Sequence, residues 1–279
     1  MKIALCNETY RNWPLEQALS HAAGLGYEGI EIAPFTLTGT AAGITPDIVS
    51  QVAGIARRCH LQIIGLHWLL AGTQGLHLTS PRREVRQRTS DYLAELTRIC
   101  RDLGGQVMVF GSPGQRNRAE GISLARGHQL AEDCLTPLVP VLETSGVTLA
   151  LEPLGPEEGN FLNTAAETRQ LVERFDSPHI RLHLDVKAMS TESQPIPQII
   201  EDHAGVLAHF HCNDPNRRGP GMGDVDFGPI LGTLKRVGYH GWLSVEVFDD
   251  SLPPEQLAGD SIGYLRQQLA RLAGPEASP

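Results

Sequence analysis

Long apolar runs are missing from this sequence. No stretch approaches the roughly 18–20 consecutive apolar residues that span a bilayer, so a helical membrane protein is excluded. The apolar start, Met1–Cys6, is too short for a secretory signal core, and Glu8 follows almost at once. Cysteine is scarce and unpatterned. Cys6, Cys59, Cys100, Cys134 and Cys212 are odd in number, widely spaced and include no Cys-x-x-Cys pair. That excludes a disulfide scaffold and a Cys-rich zinc site, and it fits a reducing, cytoplasmic location. The Asn7-Glu8-Thr9 sequon is accordingly expected to be idle. Basic charge is also in deficit: 23 Lys and Arg face 32 Asp and Glu, for a net charge of −9. A chain that neutralises phosphates on nucleic acid or an anionic membrane needs the opposite balance.

What the sequence does have is regular alternation. Short aliphatic runs at Lys2–Asn7, Gly29–Pro34, Leu61–Trp68, Val107–Ser112, Thr148–Leu154, Ile180–Val186, Val206–Asn213 and Trp242–Phe248 read as strands. Between them lie amphipathic stretches with apolar residues three or four apart, such as Tyr92, Leu96, Ile99 and Leu103. The others run Leu15–Leu25, Pro46–Cys59, Leu124–Ser145, Thr164–Phe175, Ile196–His203, Phe227–Val237 and Pro254–Leu272. Unbroken alternation predicts a parallel sheet with helices outside it. Eight such units in 279 residues predict a single (β/α)8 TIM barrel. No linker interrupts the series, so one domain is expected over 1–273, with a frayed tail at 274–279.

A barrel of this kind carries its chemistry at the C-terminal ends of its strands. The fifth strand ends on Glu152, the sixth on Asp185, the seventh on His211 and the eighth on Glu246. Each follows an apolar run, so all are expected to converge on the barrel mouth. Buried bare carboxylates are costly and are normally paired or bound to metal. For one acid, a solvated strand end is an equally good reading; four adjacent strands weigh against it. Three carboxylates and one imidazole make a hard, oxygen-rich donor set, suited to Mn²⁺, with Mg²⁺ or Co²⁺ as alternatives.

The same residues carry a family resemblance. Glu152 with Glu158 and Asn160–Thr164, then His211 with Asn216-Arg217-Arg218 and Pro220-Gly221-x-Gly223, then Ser244-Val245-Glu246 resemble the xylose-isomerase-like barrels. This is the sugar (phosphate) isomerase/epimerase superfamily, in particular its ketose 3-epimerases of the tagatose and psicose group. The resemblance implies that Glu152, Asp185, His211 and Glu246 hold a metal. It implies that Glu152 and Glu246 are also the acid/base pair, one on each face of the substrate. Glu158 matches a residue that steadies Glu152 or the metal's water, and Arg217 one that binds substrate oxygens. The implied activity is a divalent-metal-dependent isomerase or epimerase of a keto-sugar, with proton transfer through a metal-stabilised enediolate. The implied partner is a small sugar, with no nucleic acid or membrane, and the implied assembly a homodimer or homotetramer.

One departure is plain. The family usually has a histidine three residues after the strand-six aspartate, and here that residue is Ala188. This weakens the free-ketose expectation and opposes the apurinic endonuclease branch. It favours, as an alternative, a metal-dependent lyase or deglycosidase acting on a 3-keto-glycoside by the same enolisation. A non-catalytic sugar-binding barrel is the remaining rival. Lys187 is a candidate replacement donor, though a solvated loop lysine is the simpler reading. His67, at the end of strand three, is a candidate substrate contact or a structural histidine. His183 and His209 alternate with Asp185 and His211 and are expected one layer deeper. Cys212 faces away by the same parity. Trp68 and Phe248 read as an apolar wall or, more simply, as core.

Overall fold

The computed structural model describes residues 1–38 and 43–273. Eight parallel strands close a barrel in chain order. They are β1 (Lys2–Cys6), β2 (Gly29–Ile32), β3 (Gln62–Leu66), β4 (Val107–Phe110), β5 (Thr148–Leu151), β6 (Ile180–Asp185), β7 (Leu207–Cys212) and β8 (Trp242–Val245). Every expected strand is present, and each ends one to three residues earlier than its apolar run. Glu152 and Glu246 are among the residues left over at the C-terminal ends, while Asp185 and His211 stay inside β6 and β7. The expected tail, 274–279, lies outside the described residues.

The helices follow the expected pattern with one correction. The single helix expected over Leu124–Ser145 is two, Leu124–Leu135 and Val139–Ser145, joined by a 3-10 turn at Thr136–Leu138. Pro137 and Pro140 are the reason: each lacks an N–H, so the hydrogen-bond ladder restarts there. Short helices at Phe35–Thr38 and Val186–Met189 were not expected. No helix among the described residues is long and apolar enough to cross a membrane.

Two cores result. Between strands and helices lies an apolar layer that includes Leu5, Leu66, Leu151, Phe210 and Val245. Cys212 belongs to this layer and so does face away from the barrel axis, as parity predicts. Inside the barrel the upper layers are polar. Register sets Asp185 beside His211 and His211 beside Ser244, and Cys6 beside Glu31. Residues paired across strands point to the same face. An aliphatic filling is the usual solution for a barrel of this type. Its replacement here by Glu31, His183, His209, His211 and Ser244, all fully or almost fully buried, calls for a chemical reason.

Candidate active site

The barrel mouth holds a cavity of about 440 Å³ lined by Glu152, Glu158, Lys187, Arg217, Glu246, His67 and Trp68, among others. The chain is strained around it. Trp68, Ser112 and Arg217 line this cavity, and all three have positive φ, at 53°, 44° and 70°. Such backbone costs of order 1–3 kcal/mol per residue and tends to cluster at functional sites. Gly111 makes room here in another way, because a Cβ at that position would overlap the Glu152 carboxylate.

The expected ligand set is brought together, but not as one uniform cluster. Glu152, Asp185 and His211 each offer a ligand atom, and with His183 these all lie within 4.8 Å of one another. Glu246 joins through His211, whose Nδ1 is 3.0 Å from Glu246 Oε2. The other Glu246 oxygen accepts from Trp68 Nε1 at 3.2 Å. Asp185 accepts from the Ala188 N–H at 2.8 Å, capping the short helix, and from Asn213 Nδ2 at 2.5 Å.

Charge crowding sets the electrostatics. Burial, then the nearby Glu246 and Asp185, push the Glu152 carboxyl well above the usual range. Burial and Glu246 push Asp185 up to about 6. Burial opposes charge on Glu246 as well, but the His211 ring beside it outweighs this and holds the carboxyl below its ordinary value. Burial likewise disfavours the His211 imidazolium, yet Glu246 and Glu31 outweigh it and hold the ring well above its ordinary value. The two strand-end glutamates are thus driven in opposite directions, as acid/base partners often are.

The donor set fits a hard divalent cation. Three buried carboxylates converge, and burial and their mutual repulsion raise two of them, which a cation among them would relieve. Both ring nitrogens of the fully buried His183 lack a hydrogen-bond partner among the described residues. One of them is 3.8 Å from Glu152 Oε1.

The other sequence candidates divide. Lys187 is not a solvated loop lysine. Its side chain is 13% exposed, and Nζ lies 2.6 Å from Glu158 Oε2 and 5.3 Å from the Phe248 ring centroid. Burial opposes its charge, but Asp185 and Glu158 outweigh this and hold the ammonium above its ordinary value. Arg217 reaches the cavity and forms no ion pair among the described residues. His67 is both buried and cavity-lining, with Nε2 2.6 Å from Glu8 Oε2. Trp68 and Phe248 line the cavity, ring centroids 6.2 Å apart, and are not simply core. His183 and His209 do lie beneath the strand-end groups, as expected, with ring centroids 4.2 and 5.2 Å from His211.

Several residues escaped the sequence reading. Glu8 follows β1, and Asn213 links Asp185 to the Lys187 backbone at 2.8 Å. Arg116 is 1% exposed and donates to the carbonyls of Gly111, Glu152 and Leu162. Glu31 sits in the middle of β2. Its signal was available: a carboxylate between two isoleucines in an otherwise apolar strand.

Comparison with known proteins places the chain in a family. The family model for xylose isomerase-like TIM barrels matches residues 19–268. An L-ribulose 3-epimerase of Mesorhizobium japonicum is 29% identical over 248 residues, covering 88% of this chain and 79% of the relative. Crystal structures of the D-psicose 3-epimerase of Clostridium cellulolyticum H10 with D-tagatose superpose with a TM-score of 0.85 at 19% identity, covering 96% of this chain and 99% of that one. A 3-keto-D-glucoside 4-epimerase from E. coli gives a TM-score of 0.82 at 22% identity, covering 96% and 99%. At such identities the structural likenesses speak to fold. The chain belongs to the xylose isomerase-like TIM-barrel family. It is an enzyme of the sugar isomerase and epimerase class, acting on a small molecule.

Proposed function

We propose that this enzyme is a divalent-cation-dependent epimerase or isomerase of a keto-sugar, with Glu152 and Glu246 as its acid/base pair. The observation that carries this is their placement. They follow β5 and β8, three strands apart around the barrel, and both line the same cavity. A ketose held between them would present its two faces to two carboxyl groups in different protonation environments. One removes the proton next to the carbonyl, and the other returns it from the opposite face. Glu152, Asp185, His211 and Glu246 would hold the cation. Mn²⁺ suits them, with Mg²⁺ or Co²⁺ as alternatives. When bound, the cation supplies positive charge beside the carbonyl, where negative charge develops.

Lys187, Glu158, Arg217 and His67 are the proposed substrate contacts. Lys187 brings a positive charge to the segment where Ala188 has none, and Glu158 holds it in place. Arg217 offers its guanidinium from the β7 loop, and the Glu8 carboxylate orients His67. Trp68 and Phe248 give the sugar ring an apolar wall.

The second reading, a lyase or deglycosidase of a 3-keto-glycoside, is favoured by one observation. The cavity extends from Lys187 to Ser190, Thr191 and Glu157, which gives space for an aglycone. Cytoplasmic residence accords with five free thiols. A homodimer or homotetramer is expected and is read by light scattering.

Deuterium incorporation tests the function. Mn²⁺-loaded protein is incubated in D₂O with a panel of ketoses and 3-keto-glucosides, and the products are read by NMR and mass spectrometry. Label at C3 of a ketose with an inverted centre supports the 3-epimerase. An aldose product supports an isomerase, and aglycone release the second reading. No product and no exchange across the panel would overturn both.

A further inference from the structure

Glu31 lies below the cavity at the centre of β2, with no solvent exposure. A carboxylate so placed must be held by donors, and this one is. Its Oε2 accepts from His209 Nε2 at 2.8 Å and from Ser244 Oγ at 2.8 Å. His211 Nε2 approaches the same oxygen at 3.2 Å and the other at 3.3 Å. The Cys6 thiol is 3.8 Å away. An ionised carboxylate accepts and never donates. Every nitrogen that faces it must therefore carry the proton.

For His211 this has a consequence at the other end of the ring. A neutral imidazole carries one N–H, and the hydrogen bond at one nitrogen decides the state of the other. We propose that Glu31 is a positioning residue that holds His211 with its proton on Nε2 and so presents the Nδ1 lone pair to the cavity as the cation-binding atom. The opposite tautomer would set a bare Nε2 against a carboxylate oxygen, lone pair to lone pair. Without a cation, both ring N–H groups have an acceptor, Glu31 on one side and Glu246 on the other. Outer carboxylates that orient ligating histidines are a general device of metal sites. Here the device is built from a strand three places away around the barrel: β2 orients a ligand on β7. Register makes this feasible, because Cys6 and Ser244, the inward residues that border Glu31 and His211, have small side chains.

The inference rests on the cation-site reading given above, and its test separates the two. Ring nitrogen shifts of ¹⁵N-histidine protein are measured with and without Mg²⁺, a diamagnetic probe, and His211→Asn assigns the signal. The expected result is a protonated Nε2 in both states and an Nδ1 shift on Mg²⁺ addition. A neutral His211 protonated on Nδ1 in the Mg²⁺-loaded protein would overturn the inference. Mn²⁺ affinity is then titrated by electron paramagnetic resonance in wild type, Glu31→Gln and Ser244→Ala. Glu31→Gln is expected to bind Mn²⁺ roughly 10–100-fold more weakly, with a mixed tautomer at His211, because its amide offers donors where acceptors are needed. Ser244→Ala removes one of the bonds Glu31 accepts and leaves its carboxylate facing His211, so a smaller loss than that of Glu31→Gln is expected. Unchanged affinity and unchanged tautomer in a folded Glu31→Gln overturns the inference and leaves the cation reading intact. If wild type binds neither cation, the cation reading fails, and the inference fails with it. The wild-type spectra need no substitution, so they decide the tautomer even if Glu31→Gln does not fold.

Discussion

At the residue scale the site depends on a few carboxyl groups whose surroundings differ. Glu246 is paired with His211 and Trp68, while Glu152 is crowded by other acids. Glu246→Gln keeps the shape and removes the proposed proton carrier. Its kcat is expected to fall roughly 10²–10⁴-fold, measured as the initial rate of deuterium incorporation. An unchanged rate would remove Glu246 from the acid/base pair. Lys187→Met tests a different role. The role proposed for Lys187 is binding through charge, so KM is expected to rise roughly tenfold or more with kcat little changed. A fall in kcat with constant KM would instead give Lys187 a part in the chemistry. Steady-state kinetics on the ketose found to be the substrate separates the two.

At the element scale, the strand ends stay in register because loops are tied to them. Arg116 is the clearest case. It lies just after β4, and its guanidinium donates to the backbone of Gly111 beyond β4, of Glu152 beyond β5 and of Leu162 in the following loop. These are charge-assisted bonds, and without them three carbonyls lose a buried donor. Arg116→Leu is expected to cost roughly 3 kcal/mol or more of stability, read from urea unfolding, and to lower activity through a displaced Glu152. Arg116→Lys keeps the charge but not the fork, and an intermediate loss is expected. A Leu variant as stable as wild type would show that the carbonyls find other partners.

At the scale of the whole molecule, the cluster of acids links stability to pH and to cation. Without cation, burial and Glu246 raise Asp185 from 3.8 to about 6. The folded protein then holds this proton more tightly than the unfolded chain does. The resulting stabilisation is full below about pH 4 and is lost as pH rises through about 6, a change of roughly 3 kcal/mol at most. Glu152, raised by burial and its acidic neighbours, pushes in the same direction, while the part from His211 is lost only above about pH 6.5. His183, His128 and His77 are held below their ordinary value by burial and act the other way below about pH 6.5. Between pH 4.5 and pH 7, EDTA-treated wild type is therefore expected to lose more melting temperature, or gain less, than Asp185→Asn. Adding Mn²⁺ at pH 7 is expected to raise the melting temperature progressively with concentration. Identical pH profiles in wild type and Asp185→Asn, together with indifference to Mn²⁺, would show that the acids are not held together as described.

The barrel was legible in the sequence by itself, because aliphatic runs and amphipathic stretches repeat along the whole chain and local periodicity survives folding. So were Glu152, Asp185, His211 and Glu246, since a charged group that ends an apolar strand stands out in one dimension. The broken helix at Pro137 and Pro140 was legible too, and the apolar periodicity masked it. Only the tertiary structure decided what surrounds these groups. Glu31 meets His209 and His211 across 178 and 180 residues of chain, and His67 meets Glu8 across 59. No local pattern encodes such pairs. They arise because closing the sheet turns inward-facing residues of distant strands toward one axis, where each buried charge must find a donor or a cation.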